Sequence, residues 1–135
     1  LDEGLVDFDY EIVPLLQKDS LDITDADRNR VRDYIAADDG RHYVVTHGTD
    51  TMPETARALE HIPGKTIVLT GALTPARFKA TDAVFNVGMA VAAVQVAEPG
   101  VYIAMNGQLF AASDVRKNRE LNRFEKLIRQ NDGGD

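Results

Sequence analysis

Apolar runs of strand length alternate along this chain with segments in which apolar residues recur at helical spacing. Three runs, at 42–46, 66–70 and 101–105, are rich in β-branched residues and nearly continuous, which is typical of strands buried on both faces. A further run at 8–13 roughly alternates apolar and polar residues and also predicts a strand. The pattern therefore predicts at least four strands with helices between them.

The predicted helices begin at residues that suit helix starts. Thr24 can cap a helix with acidic residues in its first turn, and Pro53 suits the first turn of the next helix. Asp82 is expected to cap a third helix that runs to about Val96. These three helices separate the predicted strands.

The last third of the chain carries a turn signal. Asn106-Gly107 follows the strand 101–105 and is typical of a two-residue hairpin turn. A last helix is expected somewhere after Asp114, and the tail 131–135 is expected to fray.

This alternation predicts one α/β domain over residues 1–135, with a flavodoxin-like, mostly parallel sheet in three layers. In such sheets, ligands bind beyond the carboxyl ends of the strands, where the strand order reverses. Polar residues follow three predicted strands at that end, at 47–51, at 71–74 and from Asn106 onward. The chemistry is expected at this edge of the sheet.

The composition of the chain disfavours several classes of protein. The 135 residues are 44% hydrophobic and 27% charged, as in a folded globular domain. A formal net charge of −7 disfavours nucleic-acid binding, which depends on neutralising phosphates. No apolar stretch is unbroken for long enough to span a membrane. The absence of cysteine excludes disulfides and thiolate metal sites, and it fits a cytoplasmic protein.

The segment after the strand 42–46 is the richest in candidate chemistry. Gly48 permits a tight exit from the strand, and Thr49, Asp50 and Thr51 follow directly before a helix. An aspartate beside a threonine could orient an ammonium group or help to activate a water or hydroxyl. The alternative is that Asp50 and Thr51 only cap the helix, and the spacing alone leaves both interpretations open.

The histidines do not predict a metal site. His42 and His47 lie on a strand and its exit, five residues apart, so their side chains are expected on opposite faces. His47 is expected to form hydrogen bonds behind the site, and His61 to lie on the surface at a helix end. We expect neither a metal nor any other cofactor.

Four stretches together resemble the bacterial-type L-asparaginase family, in its short, single-domain form. The strongest is His-Gly-Thr-Asp-Thr-Met-Pro-Glu-Thr at 47–55, which is similar to an active-site signature of that family. In chain order, 19–24, 70–75 and 114–117 resemble its substrate-carboxylate loop, the loop after its fourth strand, and the stretch that holds its catalytic lysine. The resemblance implies the fold of that family's N-terminal domain.

The resemblance also implies roles for individual residues. Thr49 would act as the second threonine near the scissile amide, and Lys117 would tune proton transfers through Thr49. Asp50 would bind the α-amino group of the substrate and link to Lys117. Ser20 would bind the α-carboxylate, with Gly48 in the same substrate-binding loops and the Ala72 backbone near the leaving amide.

Two departures from the family pattern stand out. Leu21 occupies a position where many relatives carry a polar residue. The family's first signature, a Thr-Gly-Gly-Thr-Ile turn that carries its nucleophilic threonine, has no counterpart in these residues. We therefore expect an N-terminal segment that supplies the first, central strand and this turn, and we expect residues 1–135 alone to bind weakly without hydrolysing asparagine.

The function that the resemblance implies is hydrolysis of L-asparagine to aspartate and ammonia through a threonine acyl-enzyme. Two alternatives remain open: an asparaginase-like subunit of a transfer-RNA-dependent amidotransferase, and a non-catalytic amino-acid-binding or interaction domain. A one-domain enzyme lacks a second domain to close its site, so we expect a homo-oligomer, with apolar surface at Met52, Leu73 and Phe110 near the site.

Overall fold

The fold is an α/β domain, seen in a computed structural model that describes residues 6–74 and 81–127. Its helices are α1 (Asp25–Ala37), α2 (Met52–Ala58) and α3 (Ala83–Val96). Short 3-10 turns lie at Ser20–Asp22 and Ala112–Asp114. The strands are β1 (His42–Thr46), β2 (Thr66–Thr70), β3 (Gly100–Met105), β4 (Gln108–Ala111), β5 (Val115–Asn118) and β6 (Arg123–Lys126).

The main sheet has the order β1-β2-β3-β4, and its first three strands are parallel. Thr46 pairs with Thr70 at the last position of β1 and β2, so the loops that follow these strands leave from the same edge. β4 returns antiparallel to β3 through a turn at Asn106-Gly107, where both residues have positive φ. β5 and β6 form a separate antiparallel hairpin. The predicted α/β class, mostly parallel sheet and hairpin turn are confirmed.

Two apolar clusters show that helices cover both faces of the sheet. Ile67 and Leu69 of β2 pack in one cluster with residues of α1 and α2, whereas Val68 packs in the other with Ala90 and Val94 of α3. Successive side chains of a strand point to opposite faces, so a continuous apolar strand needs cover on both. The predicted three layers are confirmed.

Helices α1 and α2 begin as the sequence predicts. The Thr24 side chain accepts a hydrogen bond from the Asp27 amide, and the Asp27 side chain accepts one from the Thr24 amide, which completes a capping box. Pro53 lies in the first turn of α2, where it removes an amide that has no intrahelical partner.

Two predicted elements are wrong. Residues 8–13 form no strand, and Phe8, Tyr10 and Ile12 are exposed. The helix expected after Asp114 is instead the β5–β6 hairpin, in which Asn122 takes a positive φ before β6. The hairpin buries the side chains of Val115 and Phe124 in the core cluster.

The apolar surface expected near the site is also absent at two of its three residues. Met52 is fully buried and Phe110 nearly so, because both pack into the core cluster, while Leu73 is half-buried against it. Within 6–74 and 81–127, no helix is long and apolar enough to cross a membrane. The tail 131–135 lies outside the described residues.

Candidate functional site

Lys117 is the centre of the candidate site. Its Nζ donates to Thr49 Oγ1 and to Asp50 Oδ1, each at 2.7 Å. The Lys117 side chain is only 7% exposed, whereas that of Asp50 is 37% exposed. Lys117 lies two residues after the buried Val115 on β5, so both side chains are on the same face of that strand. Residues nearly seventy positions apart thus form one cluster, as the sequence analysis expected.

The charges in this cluster favour an ionised Asp50. The hydrogen bond from Lys117 lowers the pKa of Asp50, and the positive charges of Lys117 and Arg119 add to that effect against the opposing effect of burial. Arg119 also donates from Nη2 to the Asp50 backbone carbonyl at 3.2 Å. Asp50 is therefore a partly exposed anion that can accept an ammonium group.

Two glycines let three loops meet at this edge of the sheet. A Cβ on Gly48 would lie 2.6 Å from Ser20 Cβ, and a Cβ on Gly71 would lie 2.3 Å from the His47 carbonyl oxygen. Real Cβ atoms do not approach other atoms so closely, so a side chain at either position would force the neighbouring segment to shift. The segment around Ser20, the loop after β1 and the loop after β2 depend on these glycines for their packing.

Thr51, in the loop after β1, forms hydrogen bonds with Ser20. The Thr51 amide donates to Ser20 Oγ at 2.7 Å, and Thr51 Oγ1 donates to the Ser20 carbonyl at 2.7 Å. Ser20 is 3% exposed. Thr51 is the residue before α2, but its side chain makes no cap hydrogen bond, and Asp50 bonds Lys117. The helix-cap interpretation of these two side chains is therefore wrong.

A chain of hydrogen bonds supports the loop from behind. Arg28 Nε donates to Thr55 Oγ1 at 3.0 Å, and Thr55 Oγ1 lies 2.8 Å from His47 Nε2. His47 Nδ1 lies 2.6 Å from the Gly48 carbonyl oxygen. Burial lowers the pKa of His47, and the nearby Arg28 charge lowers it further. His47 thus has the hydrogen-bonding position that the sequence analysis expected.

Ala72 lies in the loop after β2, beside Gly71, and is half-buried. Asp82 precedes α3, but its side chain does not cap that helix; it accepts hydrogen bonds from the loop amides of Leu73 and Thr74 instead. The rest of this loop, 75–80, lies outside the described residues.

A cavity of about 1300 Å³ runs beside the open edge of β1. Its walls include Val44 and Val45 of β1, Val91 of α3, and His47 and Gly48 at the end nearest the cluster. Thr49, Asp50 and Lys117 do not line it. In the part of the chain that the structure describes, no group of three or more His, Asp or Glu side chains could hold a metal ion.

Several residues of the site were not expected from the sequence. The sequence predicts only a capping role for Thr51 and assigns no individual role in the site to Arg28, Thr55 or Arg119. Arg28 on α1 bonds Thr55 on α2, and Arg119 in the turn after β5 bonds the Asp50 carbonyl, so only the folded topology shows these contacts. Thr55 belongs to the 47–55 string, which offered a signal that it faces the same loop.

The chain matches a known protein family. The model of the N-terminal part of the asparaginase family matches residues 3–127. A glutaminase-asparaginase of Acinetobacter glutaminasificans is 37% identical over 114 residues, which are 78% of this chain and 34% of that protein. One of the subunits of the glutamyl-tRNA(Gln) amidotransferase of Methanococcus vannielii is 40% identical over 68 residues, which are 49% of this chain and 16% of that protein.

A solved structure of an asparaginase has the same fold. The probable cytoplasmic L-asparaginase of Campylobacter jejuni superposes with a TM-score of 0.76 at 34% identity, over 83% of this chain and 40% of that one. The chain thus spans about a third of the Acinetobacter relative and less than half of the Campylobacter protein.

Proposed function

This chain belongs to the asparaginase family, and on that premise we propose that it carries the amide-hydrolysing site of an L-asparagine amidohydrolase. The reaction would release aspartate and ammonia through an acyl-enzyme on a threonine, with no metal or other cofactor. The observation that carries the proposal is the Lys117 ammonium, which bonds Thr49 and Asp50 at once.

In this proposal Lys117 and Thr49 move protons. The Thr49 oxygen accepts from Lys117, so its own O–H is free to point toward a group bound on the open side. Protons can then pass through the hydroxyl between Lys117 Nζ and the reacting amide or its nucleophile. Asp50 holds the lysine in place from a second direction, which fixes the geometry of this transfer.

The substrate would be held by its two charged ends. The exposed part of the Asp50 carboxylate accepts the α-ammonium group, and the lowered pKa of Asp50 keeps that carboxylate ionised. Ser20 and Gly48 meet in the same corner and would bind the α-carboxylate through nearby amides and the Ser20 hydroxyl, whose proton would turn from Thr51 Oγ1 toward the substrate. The Ala72 backbone would face the side-chain amide.

The nucleophilic threonine is proposed to lie on a segment outside residues 1–135. Within the described residues, β1 ends the sheet, and the cavity of about 1300 Å³ along its open edge reaches Gly48. A parallel strand in that cavity would bring its carboxyl end beside Gly48 and the Lys117 cluster. Residues 1–135 alone would then bind the substrate weakly and release no ammonia from asparagine.

The central test is Lys117→Met in the full-length protein, measured as ammonia release from L-asparagine. The variant keeps an unbranched side chain but removes the ammonium, so kcat should fall by about 100-fold or more. It should also raise the pKa of Asp50, which titration by NMR can follow. Lys126→Met, at an exposed lysine of β6, is the matched control and should keep full turnover. Wild-type turnover by Lys117→Met would contradict the proposal.

A second candidate is an asparaginase-like component of a transfer-RNA-dependent amidotransferase, which the similarity to the Methanococcus protein favours. The acidic net charge of −7 argues against an RNA-binding surface on this chain. Ammonia release without any partner supports the amidohydrolase. Release only after addition of a partner protein and transfer RNA supports the amidotransferase.

We further propose a cytoplasmic homo-oligomer that uses neither nucleic acid nor a membrane as partner. The name of the Campylobacter protein and the absence of cysteine in this chain support the location. The exposed side chains of Val84 and Phe85 on α3, 74% and 62% exposed, offer apolar surface for contact between copies of the chain.

A further inference from the structure

The backbone of Ala72 is oriented by side chains at and near the start of α3. Asn86 Nδ2 donates to the Gly71 carbonyl at 2.8 Å, and Asp82 Oδ2 accepts from the Leu73 amide at 3.1 Å. A peptide unit is planar and trans, so fixing the Gly71 carbonyl also fixes the direction of the Ala72 N–H. For the same reason, fixing the Leu73 amide fixes the Ala72 carbonyl.

Asp82 accepts hydrogen bonds from four donors. Besides the Leu73 amide, these are the Thr74 amide at 3.1 Å, Asn86 Nδ2 at 2.9 Å and Asn106 Nδ2 at 2.9 Å. Burial acts to raise the pKa of Asp82, but the hydrogen bonds outweigh burial and lower this pKa to about 2. The residue is a carboxylate at any physiological pH, and only a carboxylate has acceptor capacity for all four donors.

Asn86 joins this cluster to the next strand. It is fully buried, and its Oδ1 accepts the Asn106 amide at 2.8 Å, in the turn between β3 and β4. The loop after β2, the turn after β3 and the start of α3 are therefore tied together. None of these bonds involves Lys117, Thr49 or Asp50, so the network is separate from the lysine cluster.

We propose that Asp82, together with Asn86, is a positioning residue that aims the Ala72 backbone at the amide of the substrate; the inference rests on the proposed function. An asparagine at position 82 would present an NH₂ group to some of the four donors. At least one of the Leu73 and Thr74 amides would then lose its partner, and the Ala72 peptides would rotate. A misplacement of about 1 Å in such a site can lower the rate about 100-fold.

The test is Asp82→Asn in the full-length protein, with Asp27→Asn as matched control. Asp27 is also a carboxylate at a helix start, accepts the Thr24 amide at 3.0 Å, and has a pKa lowered to about 2, but it lies on α1. Asp82→Asn should lower kcat for L-asparagine about 10-fold or more and change KM less than about threefold. Asp27→Asn should leave both constants unchanged.

Hydrogen exchange supplies a readout that does not need turnover. The amides of Leu73 and Thr74 should exchange about 10-fold faster or more in Asp82→Asn, and at the wild-type rate in Asp27→Asn. Unchanged exchange in Asp82→Asn would overturn the positioning role, and faster exchange with wild-type kcat would overturn its catalytic consequence. If the wild type releases no ammonia, the proposed function fails, and exchange alone decides whether Asp82 fixes the loop.

A milder variant covers the case in which Asp82→Asn does not fold. Asn106→Gly removes one exposed donor, leaves the carboxylate in place and tolerates the positive φ of this turn position. It should speed exchange of the same two amides by a smaller factor, about two- to fivefold. No change in those amides would count against the network.

Discussion

Replacing Gly48 by alanine should push apart two segments that build the candidate site. The added Cβ would lie 2.6 Å from Ser20 Cβ, 3.2 Å from the Ser20 nitrogen and 3.3 Å from its Cα. Two of these atoms are backbone, so relief requires a main-chain shift, and overpacking of this kind costs about 1–3 kcal/mol. Alanine restricts the unfolded chain and returns about 0.4–1 kcal/mol. The net loss in the free energy of unfolding should be on the order of 1 kcal/mol.

The matched control is Gly88→Ala in α3. A Cβ there meets nothing within 4 Å, so alanine should stabilise the helix by about 0.5–1 kcal/mol. In urea denaturation, the midpoints of the two variants should fall on opposite sides of the wild type with the same slope.

Gly48→Ala should also weaken substrate binding. Because Ser20 moves away from Thr51, Gly48→Ala should raise the KM for L-asparagine, and Gly88→Ala should not. A Gly48→Ala protein with the wild-type midpoint and KM would refute the reasoning, since the close contact would then position nothing.

Two further predictions concern binding and assembly. Ser20→Ala should raise the KM for L-asparagine more than it lowers kcat, because the hydroxyl is proposed to hold the α-carboxylate; an unchanged KM would remove that role. Sedimentation equilibrium at micromolar concentration should show a homo-oligomer, and a fully active monomer would reject the proposed assembly.

The parallel sheet was predictable because its strands are apolar on both faces. The bounds of β1 and β2 match the runs 42–46 and 66–70, and β3 begins one residue earlier than expected. A run of this kind is stable only between two layers of helices, so the local pattern carried information about the whole fold. The run at 8–13 carried no such information: its residues are largely exposed, and no described strand pairs with it.

The region after Asp114 shows why the site was only partly predictable. Its many Arg, Lys and Glu residues favour a helix by propensity. The structure has a hairpin because cross-strand pairs, such as Arg116 with Glu125 at 2.8 Å, and the burial of Val115 outweigh that preference. The family resemblance still placed Lys117 beside Asp50, since a matched string does not depend on the element that carries it.

The hydrogen bonds that link Arg28, Thr55 and His47 predict how the stability of the protein depends on pH. Arg28 can only donate to Thr55, which leaves the Thr55 hydroxyl proton free to donate to His47 Nε2. His47 then carries its proton on Nδ1 and donates to the Gly48 carbonyl, so the neutral ring satisfies every contact. A proton added at Nε2 would place a second positive charge near Arg28 at a half-buried ring, which accords with the lowered pKa of His47.

The sign of the pH effect follows from that lowered pKa. In the unfolded state, His47 has the ordinary histidine pKa of about 6.5, whereas its pKa in the folded state is lower. Between these two pKa values the unfolded state therefore binds more protons than the folded state. The stability that His47 contributes is complete above about 6.5 and is lost as the pH falls through the folded-state pKa. Urea unfolding between pH 8 and pH 5 should show this loss, and His47→Gln should reduce its slope, since glutamine does not titrate. An NMR titration that placed the His47 midpoint at or above about 6.5 would contradict the assigned order of donors.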